Sequence, residues 1–459
     1  MFCISKQSRT GTGNAITEGP IWKALLSFFF PILLGTFFQQ LYNTVDAVVV
    51  GRFVGKQALA AVGGGSSVFV NLIVGFFMGL SSGAGVLISQ FYGAGRGTEL
   101  SRAVHTAIAM SIAGGLIMTA MGIGLCGPVL TATGTPQDTM EPSLVYLRIF
   151  FAGMVPMSLY NMGSGILRAV GDSRTPLIIL IAGCAANIAL DMLLVLGLRL
   201  GVAGVALATI ICQAGCAAAT LAVLGRSRES WRFTWKKLAV SPHILREILR
   251  IGFPAGIQSS LYTISNIIIQ SFVNAFGTDT VAAWAAFGKI DSIFWMTVSA
   301  LGIAVTTFSG QNCGAHQYRR VRQGMQESML LATVLTLLMS AVFLTAGQPL
   351  FLLFSSDGAV IEEGMHMLRF LVPFWLTYIS IEILSGTIRG AGASFVPMLM
   401  TVFGVCLLRI VWLFAAVPRS GTLDSVMASY PITWTVTSIM FWVYYLCGRW
   451  IPKSEPPEI

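Results

Sequence analysis

Residues 29–53 read FFPILLGTFFQQLYNTVDAVVVGRF, and residues 252–276 read GFPAGIQSSLYTISNIIIQSFVNAF. Phe30-Pro31 matches Phe253-Pro254 at an offset of 254 minus 31, or 223, and the same offset pairs Asn43 with Asn266 and Phe53 with Phe276. After a two-residue slip, an offset of 221 pairs Gln90 with Gln311 and Gly93-Ala94 with Gly314-Ala315. It also pairs Arg148 with Arg369, Arg168 with Arg389, Gly171 with Gly392, and Pro176 with Pro397. Polar, Gly and Pro positions recurring at one spacing mark an internal repeat, so the chain reads as two related halves.

Both quoted stretches are mainly apolar, and so is the rest of the chain. Of 459 residues, 55% are hydrophobic and 10% charged, whereas soluble domains carry about 25% charged residues. A helix needs roughly 20 apolar residues to cross a bilayer. Runs between charged or Gly/Pro breaks place spans near 21–50, 57–91, 101–131, 140–167, 176–198, 202–224, 246–275, 280–310, 321–353, 363–387, 396–417 and 425–448. The expected fold is therefore an all-α integral membrane protein of twelve transmembrane helices. Six spans per half give both halves the same orientation, so the two six-helix lobes should be related by a pseudo-two-fold axis along the membrane normal. The segment from Cys3 to Gly19 is polar and leads into a long apolar run without a cleavage site, so the first span is expected to be retained.

The net charge of +9 does not point to nucleic acid, because the basic residues lie in short segments between apolar runs. With the N terminus inside, the inner segments collect about twenty Lys and Arg, while the outer ones hold Arg52, Lys56, Arg199 and Arg419. Basic residues resist translocation, which predicts cytoplasmic termini in the inner or plasma membrane. The densest basic stretch, Arg226 to Arg250 with Trp231 and Trp235, divides the halves and should lie on the inner leaflet. The expected organisation is a cytoplasmic tail 1–20, an N-lobe 21–225, a basic connector 226–245, a C-lobe 246–448 and a tail 449–459, with a monomer in contact with the lipid bilayer.

Charged groups in mid-span cost about 2.5 to 3.5 kcal/mol each on insertion scales, so each requires an account. Asp46 follows Gln39, Gln40, Tyr42 and Asn43 in the first span. Asn187 and Asp191 are four apart in span five and share a helix face, as do Thr209 and Gln213 in span six. Two buried carboxyls that approach each other could take up a proton, or Na⁺ if hydroxyl and amide oxygens complete its shell, making Asp46/Asp191 a candidate Na⁺ site. The position equivalent to Asp46 is Ile269, so coupling should be confined to the first lobe. Either acid could instead cap a broken helix.

In span seven, Gln258, Tyr262, Asn266, Gln270 and Asn274 recur every four residues, a stripe that could line a cavity or bind helices together. Lys289, Asp291, Glu382 and Arg409 are further mid-span charges, and the first two, only two apart, do not face one another. Pro31 and Pro254 remove backbone hydrogen bonds at equivalent places and could act as hinges or as static kinks. Gly75, Gly79 and Gly83 form a ladder suited to close helix packing. The eight cysteines have neither disulfide nor metal spacing, and His105, His243, His316 and His366 are dispersed.

Three patterns together resemble the multidrug and toxic compound extrusion family: Pro31 followed by Gln39, Asn43 and Asp46; Asn187-x-x-x-Asp191; and Leu167-Arg168-Ala169-x-Gly171-Asp172-x-x-Thr175-Pro176. The resemblance implies two lobes around a cleft that opens alternately to each side, with H⁺ or Na⁺ entry driving export of cationic, often aromatic, drugs. It also implies a first-lobe cation site at Asp46, Asn187, Asp191 and Thr209, as in the branch related to DNA-damage-inducible transporters. Tyr42 and Asn161 are implied as neighbours of that site, and Pro31 as its bending point. The span-seven acid of another branch is absent near Ser259 to Tyr262, so the resemblance does not carry over a second-lobe ion site, although Glu382 could contribute.

The expected function is secondary active export of organic cations and other amphipathic drugs against H⁺ or Na⁺, without a cofactor. Gln39, Asn43, Asn161, Gln213, Tyr262, Asn266 and Glu382 join Tyr42 as cavity candidates. A flippase of lipid-linked precursors, which would want a more basic cleft, and a passive channel are the alternatives. No Gly-x-x-x-x-Gly-Lys loop or His-Glu-x-x-His motif supports an enzyme.

Overall fold

A computed structural model describes residues 16–448 and 450–451. The outermost tail residues, with Cys3, Lys6, Arg9, Arg449 and Lys453, lie outside the described residues. Every element among the described residues is helical.

Among the described residues, ten helices are long and apolar enough to cross a membrane, from Ile21–Val54 to Leu423–Cys447. An eleventh crossing is a bent pair, Gln137–Ala152 and Met154–Ala169, which meet at 50°. The twelfth is Pro242–Val273, 32 residues long and so about 48 Å at 1.5 Å per residue. Its stripe of Gln258, Tyr262, Asn266 and Gln270 dilutes its hydropathy, so length rather than apolarity marks it as a span.

The fourth span, expected near 140–167, is present but broken, because the helix bends at Gly153. Adding 221 to 153 gives 374, and span ten, Gly358–Gly390, has a 3-10 turn at Val372–Phe374. The repeat therefore extends to the irregularities of the backbone. Gly171 and Gly392 have φ of 99° and 93°, and Gly95 and His316 have φ of 65° and 59°. At Gly171 the left-handed turn lets Asp172 accept from Arg174 N at 3.1 Å, Thr175 N at 3.0 Å and Thr175 Oγ1 at 2.6 Å. The Gly-Asp-x-x-Thr signature is thus the turn that starts span five.

Glycine governs how the halves meet. A methyl group on Gly79 would overlap the backbone of Ala255 and Gly256, and one on Gly83 that of Gly252. Spans two and seven can therefore approach backbone to backbone, as the glycine ladder predicts. Span one belongs to both halves. Its first part, with Leu25, Phe28, Phe29 and Ile32, packs into a core shared with Phe294, Phe308 and Trp375 of the second half. Its end, at Val49 and Val50, packs on Val195 and Val205 of the first.

The halves are also latched at the end where spans two and eight finish. Gln90 Nε2 donates to the carbonyl of Gly390 at 2.8 Å, and Gln311 Nε2 to that of Ala169 at 2.7 Å. Donors and acceptors are both related by the 221 offset. The acceptors lie in the last turn of spans ten and four, where carbonyls lack helical partners. Ile16 O, just before span one, accepts from Arg320 Nη2 of the second half at 3.2 Å.

Between Arg226 and Pro242 the chain is mostly non-helical, with a single 3-10 turn at Trp235–Lys237. It is seated on span three: Thr234 N donates to His105 Nε2 at 3.1 Å, and Ser241 N to Thr106 Oγ1 at 3.1 Å. This accounts for His105, which is buried within span three rather than placed at a helix end. Leu330, Val334, Leu337 and Leu338 of span nine are exposed together, as a lipid-facing surface requires.

Candidate functional site

Span one continues as an α-helix through Pro31 to Val49 and then widens into a π turn, Val50–Val54. Span five does the same after Asp191, at Met192–Gly197. Asp46 and Asp191 therefore each sit just ahead of a π turn, a local irregularity frequent at functional sites.

The two carboxyls are close enough to interact directly. Asp191 and Asn187 are 0% and 1% exposed, while Asp46 is half-buried. The Tyr42 hydroxyl lies beside Asp46 and donates to Thr209 Oγ1 at 3.2 Å, and Thr209 Oγ1 donates to Val205 O at 3.0 Å. Asp46 Oδ1, both oxygens of Asp191, and Asn187 Oδ1 and Nδ2 are buried without a hydrogen-bond partner, as is Gln213 Oε1. Two carboxylates cannot donate to each other, and a pair of negative charges at bilayer depth is costly. A proton shared between them, or a cation held by their oxygens with those of Asn187 and Thr209, removes both penalties. Asp46, Asn187, Asp191, Thr209 and Tyr42 are thus brought together. Gln39 is half-buried near the pair's end of span one, Asn43 is exposed, and Asn161 is elsewhere.

Asn161 lines a cavity of about 260 Å³ between the lobes, its Nδ2 donating to Met157 O at 3.0 Å. Across the same cavity are Arg168, Arg389 and Glu382, with Ser81, Ser82 and Thr306 among the hydroxyl groups. The arginines were read from sequence as loop charges. Spans four and ten instead run on to Ala169 and Gly390, so each arginine sits in a last helical turn and faces inward.

A larger cavity, about 510 Å³, opens within the second half among spans seven, eight, ten, eleven and twelve. Tyr262, Asn266 and Glu382 line it, and Tyr378 OH donates to Glu382 Oε2 at 3.5 Å. Glu382 borders both cavities. Trp284, Trp295, Trp375 and Trp434 also line the larger one, with Tyr378 and Tyr430. This aromatic wall was missed in the sequence, although it left a signal: four of the ten tryptophans lie here, all within stretches read as spans eight, ten and twelve.

The MatE family model matches residues 31–193 and again residues 254–414. The two matches start 254 minus 31, or 223, residues apart and end 414 minus 193, or 221, apart, the offsets of the internal repeat. "Probable multidrug resistance protein YoeA" of Bacillus subtilis (strain 168) is 28% identical over 93% of each chain. "Probable multidrug resistance protein YpnP" of the same organism is 27% identical over 95% of this chain and 97% of its own. A solved structure described as the outward-facing conformation of a multidrug resistance MATE family transporter of the MOP superfamily has the same fold, with a TM-score of 0.89, 22% identity, and coverage of 96% of this chain and 98% of its own. With a family model covering both halves and relatives matching end to end, the chain belongs to the MatE family of multidrug and toxic compound extrusion transporters.

Proposed function

We propose that the protein exports amphipathic organic compounds, cationic ones among them, by alternating access, driven by H⁺ or Na⁺ entering at Asp46 and Asp191. The observation that carries this reading is the carboxyl pair in which Asp46 Oδ1 and both oxygens of Asp191 are buried without hydrogen-bond partners. Asn187 and Thr209 supply further ion ligands, Tyr42 orients Thr209, and Gln213 lies nearby with an unsatisfied oxygen. Pro31 lowers the cost of bending span one once the ion's arrival changes the local charge. The pair belongs to the first half alone, since Ile269 stands at the position equivalent to Asp46, which supports the first-lobe-coupled branch of the family.

Both termini and the connector 226–245 lie in the cytoplasm in this reading, with lobes 21–225 and 246–448 working as a monomer in the cell membrane. The latch at Gln90 and Gln311 then closes the cytoplasmic end and leaves the cleft facing out. One charge moved through about 150 mV gives about 3.5 kcal/mol, or roughly two and a half decades of concentration ratio. A single ion per cycle is sufficient for useful efflux. Ion and substrate must oppose each other's binding by equal factors.

The test is dye efflux from proteoliposomes with pH and Na⁺ gradients imposed separately. One gradient drives efflux in the parent protein, and Asp46→Asn, inserted at normal levels, loses the gradient-driven part. Undiminished gradient-driven efflux by Asp46→Asn would falsify the coupling role.

A flippase is the second reading, favoured by Arg168 and Arg389 facing the interlobe cavity together, where a phosphate-bearing headgroup would meet two cations. Scrambling of fluorescent polyprenyl diphosphate without dye efflux would select it.

A further inference from the structure

Arg409 is 2% exposed and lines the larger cavity. Its Nη2 donates to Thr433 Oγ1 at 3.1 Å, its guanidinium lies 4.1 Å from the Tyr430 ring centroid, and its Nε is buried without a partner. A π turn at Val402–Leu407 immediately precedes it. Asp291, on the same cavity, accepts from Trp295 Nε1 and has the indole of Trp375 beside it. Among the described residues, neither Asp291, Glu382 nor Arg409 is in an ion pair.

A fixed cation and fixed acids thus face one chamber without neutralising one another. A buried arginine is costly unless paired, and its fork is built to hold a carboxylate. The walls are flat and rigid: Phe294 stacks on Trp375 at 4.4 Å and 6°, Trp295 meets Tyr378 edge-on at 4.6 Å, and Tyr430 packs against Trp434 at 5.3 Å. Such faces accept planar rings and delocalised cations.

We propose that this second-half cavity binds planar aromatic zwitterions, with the ligand's carboxylate on Arg409 and its cationic ring system between the tryptophan and tyrosine faces near Asp291 and Glu382. Arg409 thereby sets a preference for substrates that carry an anionic group in addition to a cation. The inference rests on the transporter reading and names a substrate class for it.

The probes are rhodamine B, a cationic xanthylium dye with a free carboxylate, and its ethyl ester, which lacks only that charge. Binding to the purified full-length protein is read by fluorescence polarisation. The parent protein should bind the free acid at least tenfold more tightly than the ester. Arg409→Gln should abolish that preference, bringing the ratio of the two affinities to about one, and Arg409→Lys should keep part of it, because the charge remains while the planar fork is lost. Equal affinity of the parent protein for acid and ester overturns the proposal, whether or not the Arg409→Gln variant folds. Unchanged preference in a folded Arg409→Gln overturns it as well. Efflux of the ester from proteoliposomes keeps the two readings apart. If the ester is exported but no carboxylate preference exists, only this inference fails. If neither dye is exported while the preference is present, the exporter reading fails and the site stands.

Discussion

Replacing Gly93 by alanine should open the latched end of the molecule. The added methyl group would overlap the carbonyl oxygen of Gln311, and the mirrored change at Gly314 would overlap that of Gln90. Neither obstacle is the tip of a flexible side chain; both are helix backbone, so the ends of spans two and eight must separate. Separation there also breaks Gln90 Nε2 to Gly390 O and Gln311 Nε2 to Ala169 O, at 2.8 and 2.7 Å. Each neutral hydrogen bond contributes about 0.5 to 1.5 kcal/mol net, so the pair holds this end closed by about 1 to 3 kcal/mol. At about 1.4 kcal/mol per decade, losing both shifts the balance toward the other conformation by roughly five- to 150-fold. Alanine is the better helix former by about 1 kcal/mol, so a loss of helix stability cannot produce this effect. The assay is double electron–electron resonance between nitroxides at positions 96 and 316, exposed residues of opposite halves that border the same crevice at the latched end. Gly93→Ala should add a longer distance to the distribution, and the double variant Gln90→Ala with Gln311→Ala should do so more mildly. A distribution identical to that of the parent in both variants would refute the latch.

Two other changes probe single elements. Asp172→Ala removes three hydrogen bonds at the start of span five and should cost about 1 to 2 kcal/mol, seen as a lower thermal midpoint in detergent with the ion response retained. Tyr42→Phe removes the donor to Thr209 and should weaken the driving ion's apparent affinity by about tenfold or less, while a double-mutant cycle with Thr209→Val is strongly non-additive; additive effects would separate the two residues.

Much of this protein is legible in one dimension because a bilayer restricts what a chain can do. Every buried backbone group must be satisfied inside the helix, so length and apolarity alone report the crossings, and a polar residue within a crossing is anomalous enough to be noticed. The repeat offsets of 223 and 221, the Asn187 and Asp191 helix face, and the glycine ladder of span two were all available in this way. What the sequence could not contain is which anomalies meet. The contact between Asp46 and Asp191, and the presence of Thr209 beside them, depend on spans one, five and six being neighbours, which periodicity does not encode. The crossing at Pro242–Val273 was legible as a span near 246–275, but that its polar stripe lines a cavity is a tertiary fact. Arg168 and Arg389 read as loop charges until two left-handed glycines, Gly171 and Gly392, set the helix ends one residue beyond them, at Ala169 and Gly390. The chamber around Arg409 draws its walls from five spans. Composition and pattern thus determined that the chain is a duplicated bundle in the membrane, whereas the packing of helices far apart in sequence decided where its charges lie relative to one another, because only packing removes the water that would otherwise screen them.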